Sequence, residues 1–133
     1  MNLLVYAVLG LIVTWVLYVL YVQVATRALE GRSADPLYDT FPALKAMQGR
    51  ALVYCFSPQC RPCRPMSAEV DSLVEEGAAV FKLDVTEHPA LARELGIRAT
   101  PTLILIERGS IIRMLLGVKT ARYMSQLITT TAR

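Results

Sequence analysis

The sequence predicts an α/β domain with a central mixed β-sheet flanked by helices, preceded by one N-terminal transmembrane helix. Three observations support this prediction. The first charged side chain is Arg27, and residues 3–22 form an unbroken apolar run. Farther along, apolar segments as long as buried strands alternate with segments whose apolar residues recur at helical spacing. With 133 residues, the chain has room for one such domain but not for two.

Composition narrows the classes of function. Hydrophobic residues make up 54% of the chain and charged residues 19%, which is too apolar for a disordered chain and too charged for a polytopic membrane protein. The net charge of +3 is spread along the chain without a basic run, so we expect no nucleic-acid partner. Three cysteines are too few for a disulfide scaffold, yet two of them form the close pair Cys60 and Cys63.

The apolar run is long enough to cross a bilayer. At about 1.5 Å per residue it extends roughly 30 Å, the thickness of one hydrocarbon core. A cleaved signal peptide would show a basic start, a shorter apolar core and a small-residue cleavage site, and none of these is clear here. We therefore predict an uncleaved anchor at residues 1–26 with lipid around residues 3–22, a juxtamembrane linker at 27–36, and a folded domain at 37–133.

The expected orientation of the anchor depends on two arginines. Arg27 and Arg32 follow the span closely, and no lysine or arginine precedes it. The positive-inside rule then favours the cytoplasm for the C-terminal domain of a single-pass protein, for example in a bacterial inner membrane. The periplasmic side remains an alternative, because a long domain can be translocated despite modest flanking charge.

The first half of the domain is predicted as helix, strand and helix. Apolar residues spaced over 41–47 indicate a short helix, and Gly49 supplies its stop signal. Residues 51–56 are continuously apolar, which is typical of a strand buried on both faces of a sheet. A helix then opens at Pro62 and ends at Gly77.

The second half adds three strands and two helices. Residues 78–85 read as a second buried strand, and Pro89 opens a helix that Gly96 ends. Two β-rich runs at 102–106 and 111–116, separated by a glycine-containing turn, predict a hairpin. Thr120 is the expected N-cap of the last helix.

The cysteine pair lies where a strand turns into a helix. The helix N-terminus offers unpaired N–H groups and a positive dipole to the first sulfur, which favours the Cys60 thiolate. Pro62 is preset for the first helical turn, and Arg61 adds positive charge. We predict that Cys60 is the exposed attacking thiol and that Cys63 is the buried resolving thiol.

From about residue 39 to residue 128 the chain resembles the thioredoxin family. The cysteine pair, residues 81–89, residues 96–103 and Gly117 match family segments in the same order. This resemblance implies a thioredoxin-like fold. It also implies that Pro101 is a cis-proline packed against the cysteines and that Lys82 matches the family's buried lysine. Since the acidic partner of that lysine is missing here, the alternatives for Lys82 are a different orientation or the ordinary role of an amphipathic strand residue with its charge at the surface.

The resemblance implies a substrate groove beside the cysteines. Ala99 and Thr100 would offer backbone groups to an extended peptide. The other residues expected to contact substrate are Gln59, Arg61, Pro62, Gly117 and Val118.

Three positions depart from the family pattern. Gln59 replaces the usual tryptophan before the first cysteine, and Arg61 replaces the glycine after it. Tyr54 stands where the family has a buried aspartate, so the usual proton acceptor for Cys63 is missing. Because a phenol is a poor acceptor, we expect slow release of a bound substrate.

Together these observations predict a membrane-tethered thiol–disulfide oxidoreductase that acts on protein disulfides, more as a reductase than as an oxidase. It would need no cofactor beyond the Cys60–Cys63 disulfide, and an upstream thiol reductase or other electron donor would recycle it. The alternative is a non-catalytic thioredoxin-like module for peptide binding or assembly. Cys55 with the pair also matches a plant-type iron–sulfur spacing, but the fourth cysteine is lacking, and His88 fits a loop better than a zinc site. We therefore expect no metal.

Overall fold

The computed structural model describes residues 2–28 and 30–130, and it confirms the predicted order of helices and strands. The one difference lies before the first strand, where two single helical turns take the place of the one short helix that was predicted. The elements are α1 (Asn2–Arg27), α2 (Asp35–Tyr38), α3 (Ala43–Ala46), β1 (Arg50–Phe56), α4 (Cys63–Glu75), β2 (Val80–Asp84), α5 (Pro89–Glu94), β3 (Thr102–Glu107), β4 (Ser110–Leu116) and α6 (Ala121–Thr129).

The four strands form one mixed sheet in the order β2-β1-β3-β4. β1 pairs with β2 in parallel and with β3 antiparallel, and β3 and β4 form an antiparallel hairpin. The two turn residues, Arg108 and Gly109, both have positive φ, as a tight type I′ hairpin requires. The predicted mixed sheet and hairpin are thereby confirmed.

The sheet carries a separate core on each face. Alternate residues of β1 point to opposite sides, so Val53 and Cys55 belong to one core while Leu52 and Tyr54 belong to the other. Helices α4 and α6 cover the Tyr54 side, and α2, α3 and α5 cover the Cys55 side. All five central residues of β1 are buried, as the continuous apolar run predicts.

The expected linker is more structured than its polar sequence indicates. Gly31 N–H donates to the carbonyl of Ile111 at 2.6 Å, Ile111 N–H donates to the carbonyl of Arg32 at 2.8 Å, and Ala34 N–H donates to the carbonyl of Gly109 at 2.8 Å. These bonds satisfy part of the open edge of β4, and Ala34 is fully buried. The chain thus joins the folded domain at Gly31, six residues before the predicted boundary.

Helix α1 has the length and composition of a membrane span. Over Asn2–Ala25 its best window has a mean hydropathy of 2.5, and none of that window is buried against the domain. A core helix of a soluble protein would be covered by its neighbours, whereas an exposed apolar helix near the N-terminus is typical of a membrane span or of a signal sequence. The hydroxyl of Thr14, near mid-span, donates to the carbonyl of Gly10 at 2.8 Å, which satisfies this polar group within the helix.

Arg50 links β1 to β3 and to α6 by hydrogen bonds, and these bonds should contribute to the stability of the domain. Its Nε donates to Glu107 Oε1 at 3.0 Å and its Nη1 donates to the carbonyl of Leu127 at 3.2 Å, with both charged side chains largely buried. Glu107→Ala should lower the free energy of unfolding by about 1.5 to 3 kcal/mol, because it leaves a buried guanidinium without its anion. Urea unfolding of the detergent-solubilised chain measures this. The matched variant Glu75→Ala, at an exposed position, should change it by less than about 0.5 kcal/mol, and equal effects would contradict the assignment.

Candidate active site

The cysteine pair occupies the turn between β1 and α4. Cys60 N–H donates to the carbonyl of Ser57 at 3.1 Å, which closes the turn, and α4 begins at Cys63. The two sulfurs are bonded, with the Cα atoms 5.3 Å apart. Cys60 is partly exposed, whereas Cys63 is only 2% exposed. This difference in access is the one expected between an attacking and a resolving thiol.

Among the described residues, no capping side chain or acidic residue neutralises the positive N-terminal end of α4 near Cys60. Pro62 occupies the N-cap position with φ of −62°, and within this described turn there is neither a capping side chain nor an acidic residue. Pro62 and Pro65 have no N–H, and Arg64 N–H donates to the carbonyl of Arg61 at 3.2 Å, so the Cys63 N–H and the positive end of the helix dipole remain available to a thiolate. Arg61 and Arg64, both exposed, add to the positive potential. All of these effects lower the free energy of the Cys60 thiolate relative to the thiol.

Strand pairing brings the proline loop to the same end of the sheet. Cys55, near the end of β1, pairs with Thr102 at the start of β3, and Thr102 pairs with Leu116 at the end of β4. Pro101 directly precedes Thr102, and Gly117 directly follows Leu116. The cysteine turn, the proline loop and the glycine are thus neighbours, as the family resemblance implies.

Hydrogen bonds hold the proline loop in shape. The Thr100–Pro101 peptide bond is cis, and Pro101 is buried. Gly117 N–H donates to the carbonyl of Pro101 at 2.9 Å, and the buried Thr102 hydroxyl donates to the carbonyl of Ala99 at 2.7 Å. The loop therefore presents a fixed backbone surface to the side where the cysteines lie.

The residues expected to contact substrate are accessible. None of them is buried, which leaves their surfaces open to a bound peptide. The exposed members are Gln59, Arg61, Pro62, Ala99 and Val118, and the partly exposed members are Thr100 and Gly117.

The Tyr54 side chain forms a hydrogen bond with the backbone carbonyl of the resolving cysteine, Cys63. Its hydroxyl, fully buried, donates to the carbonyl of Cys63 at 3.0 Å and lies 2.9 Å from Ser67 Oγ. Since the single phenol proton goes to the carbonyl, the Ser67 hydroxyl is the donor in the second bond. Burial, the largest cause, raises the pKa of Tyr54 above its usual value, so the group stays protonated at neutral pH. Tyr54 therefore anchors the helix and does not accept the Cys63 proton.

Ser67 is a residue that the sequence reasoning missed. It follows Cys63 by four positions on α4, so the two lie on one face of the helix. That spacing is visible in the sequence, but it gains meaning only once Tyr54 is known to point toward α4.

Lys82 does not occupy the buried position that the resemblance implies. Its side chain is exposed, its Nζ lies 2.7 Å from Asp71 Oδ1 on α4, and it sits 5.3 Å from the centre of the Phe56 ring. The physical reason is its partner in the strand pairing, Tyr54, which is a phenol and supplies no buried anion. The ammonium group therefore pairs with the surface carboxylate instead. A salt bridge this exposed contributes little to stability.

Cys55 is separated from the other two cysteines. It is fully buried in the core on the opposite face of the sheet from Cys63. Burial raises the pKa of its thiol to about 12. An iron–sulfur or zinc site would need the three thiols to converge, and the sheet holds them apart. His88 is the N-cap residue of α5, in the loop where the sequence predicts it.

Thiol labelling should separate the three cysteines. In the reduced full-length chain we expect alkylation at Cys60 first, with an apparent pKa below the free-thiol value of about 8.5, because only this sulfur combines access with the helix N-terminus. Cys63 should react slowly, and Cys55 should react only after unfolding. Mass spectrometry of samples alkylated across a pH series measures the order. Faster labelling of Cys63 or Cys55 would contradict the assignment.

Replacing Tyr54 should reveal its role. Tyr54→Phe should cost about 0.5 to 1.5 kcal/mol of stability through the lost hydrogen bond, but it should leave the decay rate of a Cys60 mixed disulfide within about 2-fold, since the phenol takes no proton. Tyr54→Asp should speed that decay if the buried carboxylate is tolerated, because it supplies an acceptor. Rapid-quench measurement of the mixed disulfide gives both rates. A large slowing in Tyr54→Phe would instead make the phenol the acceptor.

Comparison with known proteins identifies the family. The thioredoxin family model matches residues 38–130. An F-type chloroplastic thioredoxin of Spinacia oleracea is 35% identical over 97 residues, covering 69% of this chain and 51% of that protein. A thioredoxin of Porphyra purpurea is 36% identical over 69 residues, covering 50% of this chain and 64% of that protein.

Solved structures agree with this match. A mutant thioredoxin from Halobacterium salinarum superposes with a TM-score of 0.61 and 28% identity, covering 75% of this chain and 84% of that one. This chain spans about half the length of the spinach relative and 64% of the Porphyra relative. The match includes the cysteine turn, the proline loop and the strands between them. The chain belongs to the thioredoxin family.

Proposed function

We propose that the chain is a membrane-tethered thiol–disulfide oxidoreductase that reduces disulfides in proteins. The observation that carries this proposal is the placement of Cys60 at the open N-terminus of α4, within disulfide distance of Cys63 and beside the proline loop. A purely structural disulfide would not require these features: an accessible sulfur, a helix N-terminus without a capping side chain, and an adjacent groove for a peptide.

The chemistry starts from the reduced pair. The Cys60 thiolate attacks one sulfur of a substrate disulfide, and the other substrate sulfur leaves as a thiolate. Cys63 then loses its proton and attacks Cys60 Sγ, which releases the second substrate thiolate and forms the Cys60–Cys63 disulfide. Two electrons pass to the substrate, and its two thiolates take up protons. A dithiol donor must then reduce the pair again, so we include such a donor among the partners.

Substrate binding in this proposal uses the backbone of the proline loop. Thr102 and Gly117 fix that loop from both sides, and Ala99 and Thr100 are accessible on it. An extended peptide could pair with such a backbone as an added strand, placing its cysteine over Cys60. Gln59 and Arg61 make the rim at the cysteine turn more polar and more basic than the family's tryptophan and glycine would, which favours acidic or polar substrate residues on that side of the groove only.

The membrane tether is the second part of the proposal. Its support is the length, the mean hydropathy and the exposed surface of α1. Arg27 and Arg32 favour a cytoplasmic domain, where a reducing thiol pool would keep Cys60 and Cys63 reduced. On the periplasmic side the same chemistry would correct or exchange disulfides.

One observation favours a second function, a peptide-binding module without turnover. Tyr54 and Ser67 replace the carboxylate that would accept the Cys63 proton, so release of a captured substrate has no built-in base. Such a module would bind peptides in the same groove but would reduce none catalytically.

A trapping experiment separates the two functions. The full-length chain should reduce insulin with multiple turnovers when dithiothreitol is supplied, and Cys63→Ser should accumulate mixed disulfides through Cys60, because attack survives while resolution is lost. Non-reducing gels and turnover assays give the two readouts. The control Cys60→Ser should neither turn over nor trap. Binding or capture of peptides without turnover would establish the module and reject the enzyme.

A further inference from the structure

The direction of the chain where it enters the domain determines which end of the sheet faces the anchor. Residues 31–34 run antiparallel to β4, with Ala34 bonded to Gly109 and Gly31 bonded to Ile111. Followed backward, the chain therefore heads along β4 toward Leu116, the end that carries the proline loop and the cysteine turn. The anchor leaves the domain at the active-site end.

The connection between anchor and domain is short. Residues 28–30 separate the last residue of α1, Arg27, from the first residue paired to β4, Gly31. Four residue steps extend about 14 Å at most. Because Gly31 is hydrogen-bonded to the edge strand, the domain has little freedom to turn its active-site end away from the bilayer surface.

The last turns of α1 lie against the proline loop. The guanidinium of Arg98, three residues before Pro101, lies 5.9 Å from the centre of the Tyr21 ring. Between helix and domain is a cavity of about 490 Å³ with mainly apolar walls. The loop contributes Arg98 and Ala99 to it, and α1 contributes Tyr18 and Tyr21. The cavity therefore joins the accessible backbone of the substrate groove to the last turns of the predicted span, where Tyr18 and Tyr21 would lie at the membrane interface.

The surface beside the groove is unusually apolar for this domain. Outside α1, the exposed large hydrophobic residues in the described part of the chain are Val74, Leu116 and Val118. Two of these three flank Gly117 at the groove, with 49% and 51% of their surfaces exposed. An exposed apolar surface marks a protein or membrane contact, and a segment that has just left a bilayer carries apolar and aromatic residues that match it.

We propose that the groove receives the juxtamembrane segment of another membrane-anchored protein, whose disulfide or cysteine lies within a few residues of its own transmembrane helix. The inference rests on the proposed membrane tether and on the proposed dithiol chemistry. The partner is a protein segment and not a lipid, because the accessible backbone of Ala99 and Thr100 lies at the same end of the sheet as the cysteine turn. The chemistry is the exchange already described, with the client disulfide as the oxidant that the Cys60–Cys63 dithiol reduces.

The test compares two anchored clients in the same vesicles. Full-length protein is reconstituted with a single-span model client whose disulfide lies about 5 residues from the membrane, or with the same client carrying a flexible spacer of about 30 residues before the disulfide. Both clients share the membrane, so co-localisation alone favours neither. Reduction is followed by thiol alkylation and gel shift, with dithiothreitol-driven insulin reduction measured in parallel.

We expect the membrane-proximal disulfide to be reduced at least about 10-fold faster than the distal one. The matched control is a full-length variant with a flexible Gly/Ser insert of about 20 residues between Glu30 and Gly31, which frees the domain to turn. It should lose the preference while reducing insulin at the unchanged rate. Equal rates for the two clients with the original chain, or a faster distal client, would overturn the proposal, as would activity on insulin combined with none on either anchored client. Inactivity toward all three substrates would instead reject the proposed function itself.

Discussion

The site depends on how rigidly α4 is held against β1. β1 lies in the interior of the sheet with its central residues buried, so its position is fixed by pairing on both sides. From it, the Tyr54 hydroxyl donates to the carbonyl of Cys63 in the first turn of α4. This bond and the packing of Met66 and Val70 of α4 in the same core as Tyr54 together set where the helix begins, and the helix start in turn decides which N–H group and which end of the dipole face Cys60. A tilt of α4 would remove the stabilisation of the thiolate and the close approach of the two sulfurs together.

The same bond changes the proton chemistry of the site. A buried carboxylate at this position would accept a proton from Cys63, but it would also place a negative charge beside the two sulfurs that the proposed exchange converts to thiolates. Tyr54 and Ser67 keep the position neutral, because burial holds the phenol in its protonated form. In the proposed exchange, the proton of Cys63 would then pass to water or to the departing substrate thiolate. Lys82 takes no part in this transfer, since its ammonium pairs with Asp71 at the surface.

The sequence predicts those helices, strands and turns that are determined by residues close together in the chain. The apolar run of β1, the glycine turn at Arg108 and Gly109, and the helix start beside the cysteines could all be identified, because each is set by residues close together in the chain. Contacts that depend on distant partners could not. Residues 31–34 pair with the open edge of β4 through backbone groups that any sequence possesses. The exposure of Lys82 and the bond of Ser67 both follow from the direction in which Tyr54 points, which pairing and packing decide.

The reduction potential of the Cys60–Cys63 pair tests the central claim most directly. Equilibration of the full-length chain with thiol buffers of defined ratio, followed by alkylation and mass spectrometry, gives the reduced fraction of each cysteine. A working dithiol should show one two-electron transition, with Cys60 and Cys63 changing together, inside the range of about −270 to −120 mV spanned by thiol–disulfide oxidoreductases. Cys55 should remain reduced throughout. A potential below about −300 mV, as structural disulfides have, or independent one-thiol modifications of Cys60 and Cys63, would contradict the account.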